Sequence, residues 1–252
     1  LRPSGSTESP AAAAPHDSGM MVRQVCYVLD IEHSERGHDL VIQLRQRTPT
    51  QTGWSKLRPY KIASEDLPQF EPEDRRILAS LIGARRVYEA SFESTSGRDR
   101  PHGQFRVGPE SRWELLQRIA ATGRCYAEQV DEDATPVVWD GQTPWVLYLA
   151  GERDEGEVEL NLELRQGDRT IGLDEPELVL GGLEGVVVHE GVVAKLNDRG
   201  AARWVTQFRD ELRAEGRITP LTVPDSEIDG FAERLYRLPQ LPELDLPEGV
   251  GP

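Results

Sequence analysis

The sequence predicts an α+β fold, mostly antiparallel sheets with about four packed helices, in an arrangement that admits two subdomains. Three observations predict it. Short β-branched and apolar runs are separated by polar turns. Apolar residues recur at three- and four-residue spacing elsewhere, the mark of a helix with one buried face. One unit, a strand followed by Ser/Pro/acid punctuation and then a helix, recurs as YKIASEDLPQF, FRVGPESRWELL and LTVPDSEIDGF. Shared capping chemistry accounts for that recurrence without an internal repeat, because acids favour the positive end of a helix.

The elements follow in order. LRPSGSTESPAAAAPHDSG is small, polar and proline-rich and lacks the apolar core of a signal peptide, so residues 1–21 read as a disordered arm. The chain opens at Leu1 rather than methionine, which suits a piece of a longer protein. VRQVCYVLDI (22–31), DLVIQLRQR (39–47) and KLRPYKI (56–62) read as three strands of a meander, with SERGH and TPTQTG as its turns. Ser64 caps an acidic stretch, and EDRRILASLIGAR (73–85) is helical with Ile77, Leu78, Leu81 and Ile82 on one face. ESTSGRDRPHG (93–103) is a polar loop. A short strand then leads into a helix striped by Trp113, Leu116, Ile119 and Ala120 and stopped by Gly123. These elements make an α+β subdomain over residues 22–125.

Residues 126–238 form a β-rich, acidic subdomain with two helices near its end. Val158, Leu160, Leu162 and Leu164 alternate with Glu157, Glu159, Asn161 and Glu163, a strand with one dry and one wet face. EGVVVHEGVVAKL reads as a hairpin turning at His189-Glu190-Gly191. One helix carries Trp204, Val205, Phe208 and Leu212, and the next carries Ile228, Phe231, Leu235 and Leu238. Trp113, Ile119, Trp204, Phe208, Ile228, Phe231 and Leu235 are the expected core. In residues 239–252 leucines alternate with prolines, and a polyproline helix would put Leu238, Leu241 and Leu244 on one face. The segment is either a strap on its own domain or a connector to a following domain, and its composition favours the connector.

The net charge of −15 is unevenly spread. Residues 1–125 carry 18 Lys and Arg against 16 Asp and Glu, whereas residues 126–252 carry 11 against 28. An acidic half repels phosphate at long range, so nucleic acid would be met by the first half. No run reaches the roughly 18 apolar residues of a membrane span, and no membrane partner is expected. Two cysteines, Cys26 and Cys125, make no disulfide framework, so a reducing cytoplasm is the expected compartment.

Motifs for catalysis are missing from the sequence. There is no G-x-x-x-x-G-K-[ST] loop, no G-x-S-x-G elbow and no H-E-x-x-H helix. LGGLEG (180–185) lacks the lysine of a phosphate loop and reads as a tight turn. DEDATP (131–136) has Pro136 where a calcium loop requires glycine. Cys26, His33 and His38 lack metal-ligand spacing, and Cys26 reads as a buried core thiol. RDEGE (153–157) reads as a solvated turn. No catalytic residue, metal ligand or cofactor site is therefore assigned. The candidate nucleic-acid contacts are Arg45, Arg47, Lys56, Arg58 and Lys61 on the meander, with Arg85 and Arg86 closing the first helix. Residues 31–62 hold six Lys and Arg against three acids.

Several segments carry a resemblance when taken together: YVLDIEHSERGHDLVIQLRQR followed by GWSKLRPYKI, EPEDRRILASLIGAR, ATGRC, LRQGDRTIGLDEPELVL, VVVHEGVVAKL, and ITPLTVPDSEIDGFAERLYRLPQLPELDLPE. In that order and spacing the chain resembles, over residues 22–248, the N-terminal region of bacterial Swi/Snf-family DEAD/DEAH-box helicases. The resemblance implies a two-lobed ATPase motor following this region, with ATP and magnesium bound by the motor and hydrolysis coupled to movement along duplex DNA. It implies for these residues a non-catalytic accessory or regulatory role, with the motor as intramolecular partner. The alternative is a free-standing acidic module that docks a basic partner.

Overall fold

A computed structural model of the chain describes residues 23–37, 39–51, 53–83, 103–127, 135–182, 184–197, 221–237 and 241–250. They fold as α+β, with antiparallel pairing except where β1 meets β7 and where β8 meets β13 and β15. The first half contributes β1 (Gln24–Leu29), α1 (Ile31–Gly37), β2 (Leu40–Arg47), β3 (Pro49–Thr50), β4 (Gly53–Trp54), β5 (Arg58–Pro59), a 3-10 turn over Ser64–Gln69, α2 (Pro72–Gly83), β6 (Gln104–Val107), α3 (Pro109–Ala121) and β7 (Cys125–Tyr126). The second half contributes β8 (Val138–Asp154), β9 (Glu157–Gln166), β10 (Arg169–Gly172), β11 (Leu178–Leu180), β12 (Gly185–His189), β13 (Val192–Asn197), β14 (Leu221–Pro224), a 3-10 turn over Asp225–Glu227, α4 (Ile228–Tyr236) and β15 (Glu243–Asp245).

The first sheet runs β5-β2-β1-β7, and β6 shares with β5 the outer edge of β2. The meander is thus present, but SERGH is not its turn. Ser34–Gly37 lie within α1, because the Asp30 carboxylate accepts the His33 amide at 3.2 Å and the Asp30 carbonyl accepts the Ser34 amide at 3.0 Å. An N-capping aspartate suffices to start a helix there. TPTQTG does turn, closing the small β3–β4 ladder in which Pro49 faces Trp54.

The second sheet runs β10-β9-β8-β13-β12-β11, with β14 added beside β9 and β15 beside β8. Its hairpins turn where side-chain chirality predicts. Glu155 and Gly156 have φ of 29° and 96°, and Glu190 and Gly191 have φ of 50° and 72°. Positive φ at both central residues matches the right-handed twist of the flanking strands. LGGLEG is the turn between β11 and β12, where a side chain on Gly185 would meet the Leu196 carbonyl at 2.7 Å.

One core joins the two halves. Val25, Tyr27, Leu29, Ile42, Leu44 and Phe105 from the first sheet pack with Leu78, Leu81, Leu116 and Ile119 from α2 and α3. Leu178, Leu180, Val186, Val188 and Val193 of the second sheet belong to the same cluster. Trp113 of α3, half-buried, packs against Trp139 of β8 with ring centroids 4.0 Å apart and the rings tilted by 52°. The division expected at residue 125 therefore falls inside β7, in the middle of a shared core. Ile119, Ile228 and Leu235 are buried as expected and Phe231 is half-buried, while Trp204 and Phe208 lie outside the described residues, as do the arm and most of the 93–103 loop.

Of the Leu/Pro segment, residues 241–250 lie on this chain's own second sheet. β15 pairs with Tyr148–Ala150 of β8, Pro242 and Val250 are buried, and Leu241, Leu244 and Leu246 pack over Leu149 and Leu160. Gly151 makes room for it, since a β-carbon there would lie 3.1 Å from both Leu246 and Pro247.

A buried ionic cluster ties the helices to the first sheet. Tyr27 donates to Asp74 at 2.7 Å, and Arg124 holds both oxygens of Asp74 at 2.8 and 3.0 Å while also donating to the Val25 carbonyl at 2.9 Å. Removing the carboxylate strands the Arg124 charge, at a cost of about 3–5 kcal/mol. Asp74→Ala should therefore lower the stability measured by urea unfolding by that amount, and Tyr27→Phe by about 1 kcal/mol. Burial, then the Asp74 charge and hydrogen bond, raises the Tyr27 pKa above its ordinary 10.0. The raised value means that the Tyr27 contribution is complete below pH 10.0 and is lost as pH rises above it. Unfolding curves should accordingly separate wild type from Tyr27→Phe below that pH, and the difference should shrink as pH rises above it.

Candidate nucleic-acid interface

Strand alternation sorts the first sheet into two faces. Leu40, Ile42 and Leu44 of β2 point into the shared core, so Val41, Gln43, Arg45 and Arg47 point the other way. On β1 the same alternation puts Gln24, Cys26 and Val28 on that outer face, and Asp30, just past its end, bonds to Gln43 there. Register then sets cross-strand neighbours: Gln24 opposes Arg47, Cys26 opposes Arg45 and Val28 opposes Gln43.

Polar contacts fix this face. Gln24 Oε1 accepts from Arg47 Nε at 2.6 Å, and Gln43 Oε1 accepts from Arg45 Nη2 at 2.6 Å. Gln43 in turn donates to the Asp30 carboxylate at 2.6 Å, as does Gln104 of β6 at 2.8 Å. Asp30 is only 1 % exposed, and His33 adds a contact from Nδ1 at 2.9 Å. Burial works to raise the Asp30 pKa, but the hydrogen bonds from Gln43 and His33 prevail and hold it below the usual aspartate value. The carboxylate is thereby committed to the amides and imidazole around it, and the arginines answer to glutamine oxygens instead.

Arg47 also stacks. Its guanidinium carbon lies 4.8 Å from the centroid of the Trp54 ring and 6.0 Å from that of Tyr126. Trp54, at 45 % exposure, is one of the few large apolar side chains left in solvent among the described residues. Its hairpin is held by Ser55, whose amide donates to the Thr48 carbonyl at 2.9 Å and whose hydroxyl accepts the Thr48 amide at 3.0 Å.

The seven candidate residues separate in space. Arg45 and Arg47 share the outer face. Arg58 pairs with Gln46, whose side chain alternates with Arg45 and Arg47, so it takes the opposite side of the sheet. Lys56 and Lys61 are exposed on the segment flanking β5. Arg85 and Arg86 lie outside the described residues. Sequence reasoning missed Gln24, Gln43 and Trp54. The signal for Trp54 was its place in the polar hairpin TPTQTGWS, without an apolar neighbour to share a stripe.

Other features take structural roles. Arg112 Nη2 donates to the Gly181 carbonyl at 2.7 Å and Glu184 accepts the Trp113 amide at 3.0 Å, so the LGGLEG turn docks the first turn of α3. A cleft of about 180 Å³ lies between α2, β6 and α3, where Glu114 of its wall pairs with Arg118. Among the described residues no group of His, Cys, Asp and Glu is arranged to hold a metal ion. No helix among them is long and apolar enough to cross a membrane.

Comparison with protein-family models, curated proteins and solved structures returned no match. The site's chemistry is therefore read from its own geometry.

The cysteines lie on opposite faces of the first sheet: Cys125 in the shared core, Cys26 against Val28 and Tyr126. Burial raises both thiol pKa values, and neither side chain is solvent-exposed. Thiolates are the reactive species, so a disulfide-exchange dye should label neither cysteine in the folded protein and both after denaturation.

Proposed function

We propose that this chain is a non-catalytic accessory module of an ATP-dependent Swi/Snf-type DNA helicase or translocase, and that it meets duplex DNA with the outer face of its first sheet. The observation that carries the reading is the way Arg45 and Arg47 are held. Glutamine oxygens orient both guanidinium groups, and among the described residues neither has a carboxylate partner. By contrast Arg106, Arg124, Arg153, Arg165 and Arg169 each meet an aspartate or glutamate. An oriented arginine that keeps its charge is suited to phosphate, whose neutralisation supplies most nucleic-acid affinity.

The order and spacing of the Swi/Snf-like segments support placing this face beside a motor domain. In that arrangement ATP and magnesium belong to the motor, and the module contributes positioning and DNA contact.

A second reading, docking of a basic partner, is favoured by the exposed Glu152, Asp154, Glu155, Glu157 and Glu159 around the β8–β9 turn. Anisotropy titrations of the chain with a labelled blunt duplex, over a range of salt, separate the two. The accessory reading expects binding that weakens with salt. Replacing Arg45 and Arg47 by glutamine should flatten the log–log salt slope by about two, since each lost phosphate contact removes about 0.9. Duplex affinity and salt slope that are unchanged by both replacements would leave the basic-partner reading in its place.

A further inference from the structure

We infer that Trp54 is a stacking platform for an unpaired base, so that this face prefers DNA with a single-stranded tail over blunt duplex. The inference rests on the DNA-binding reading above and specifies which form of DNA that face selects.

The argument begins with the cost of an exposed tryptophan. An indole left in water forgoes the gain of burial, and Trp54 is 45 % exposed on a two-residue strand. Its position is nevertheless fixed. The β3–β4 ladder and the Ser55–Thr48 contacts set the backbone. The Arg47 guanidinium lies against the ring, itself restrained by Gln24 and placed within 6.0 Å of the Tyr126 ring centroid. A ring held in this way loses little conformational freedom when a second planar group is laid on it.

Charge selects what that group is. Arg45 and Arg47 lie on this face, and residues 40–64 contain no Asp or Glu, within a chain of net charge −15. The occupant is therefore both planar and anionic, which describes a nucleotide. In a duplex the base faces are already stacked on one another and are closed to an outside ring. Only an unpaired base can use Trp54, while phosphates of either form can use the arginines. Aromatic platforms beside a cationic strand are the general means of holding single strands without reading their sequence.

The experiment compares a blunt duplex with the same duplex bearing a short oligothymidine tail, titrated against wild type, Trp54→Ala and Trp54→Phe. One stacked base should tighten binding on the order of tenfold. Wild type should prefer the tailed DNA over the blunt duplex by that factor, Trp54→Ala should lose that preference, and Trp54→Phe should restore part of it. Binding of the tailed DNA should also quench fluorescence in wild type more than in Trp54→Phe, the other four tryptophans being common to both. Blunt-duplex binding with no gain from the tail, or a gain that survives Trp54→Ala, overturns the stacking inference and leaves the DNA reading standing. Tail-dependent binding without blunt-duplex binding upholds stacking and removes the duplex reading. Binding of neither DNA overturns both. Displacement of tailed DNA by polyglutamate, equal in wild type and Trp54→Ala, reduces the face to a surface for acidic polymers and overturns stacking.

Discussion

The bidentate contact between Asp74 and Arg124, with Tyr27 donating to the same carboxylate, is the constraint on which the first half of the molecule depends. Each partner comes from a different place: Asp74 from the first turn of α2, Arg124 from the segment between α3 and β7, Tyr27 from β1. Burial works against the Arg124 charge, yet the hydrogen bond and charge of Asp74 more than restore it and raise its pKa. Because Tyr27 must face inward to reach Asp74, its neighbours Cys26 and Val28 must face outward, and pairing with β2 does the rest. A slip of one residue between β1 and β2 would drive Arg45 and Arg47 into the apolar core. A buried ion pair on one side of the sheet thus sets which cations are displayed on the other.

The parts of the fold legible in the sequence were those governed by local periodicity or local dihedral demands. The alternation of Val158, Leu160 and Leu164 with charged neighbours gave a strand with one buried face, and Ile77, Leu78 and Leu81 gave the buried stripe of α2. Gly191 and Gly123, at φ of 72° and 65°, marked a hairpin and a helix end. What escaped was settled by distant partners. α1 is only 7 residues long and shows no stripe; it exists because Asp30 caps it while also serving Gln43 and Gln104. β15 is a strand because β8 offers it an edge. At the candidate site the arginines were legible as charge, but their orientation was not, because Gln24 lies 23 residues from Arg47. Trp54 carries little mark of its role in the sequence, because that role comes from the Arg47 guanidinium against its ring.

The two halves use their charges differently although they share a core. On β9 and β8, cations are spent internally: Arg165 bridges Glu163 and Asp245 at 3.0 and 2.7 Å and lies over the Tyr148 ring, closing the strap onto the sheet. On β2, neutral amides do the orienting and the charge stays available. Exposed ion pairs of the first kind contribute little stability each. Their effect is to leave the surrounding acids as the net surface of the second half, and a DNA strand bound to the first sheet would be repelled from it.

The strap has a mechanical consequence. Three positions of β15 bond side by side to β8, with Pro242 and Val250 buried at either end. Tension applied at residue 250 along the strand would load those bonds together in shear, the direction in which a ladder resists most, whereas a pull across it would part them one by one. β8 carries 17 residues, roughly 50 Å of extended chain. The force entering at Tyr148–Ala150 would run along it to Trp139 and, through Trp113, into α3. A tug on the end of this chain is thereby delivered to the helix that closes on the first sheet, making β8 a tie rod between the strap and the core beneath the cationic face.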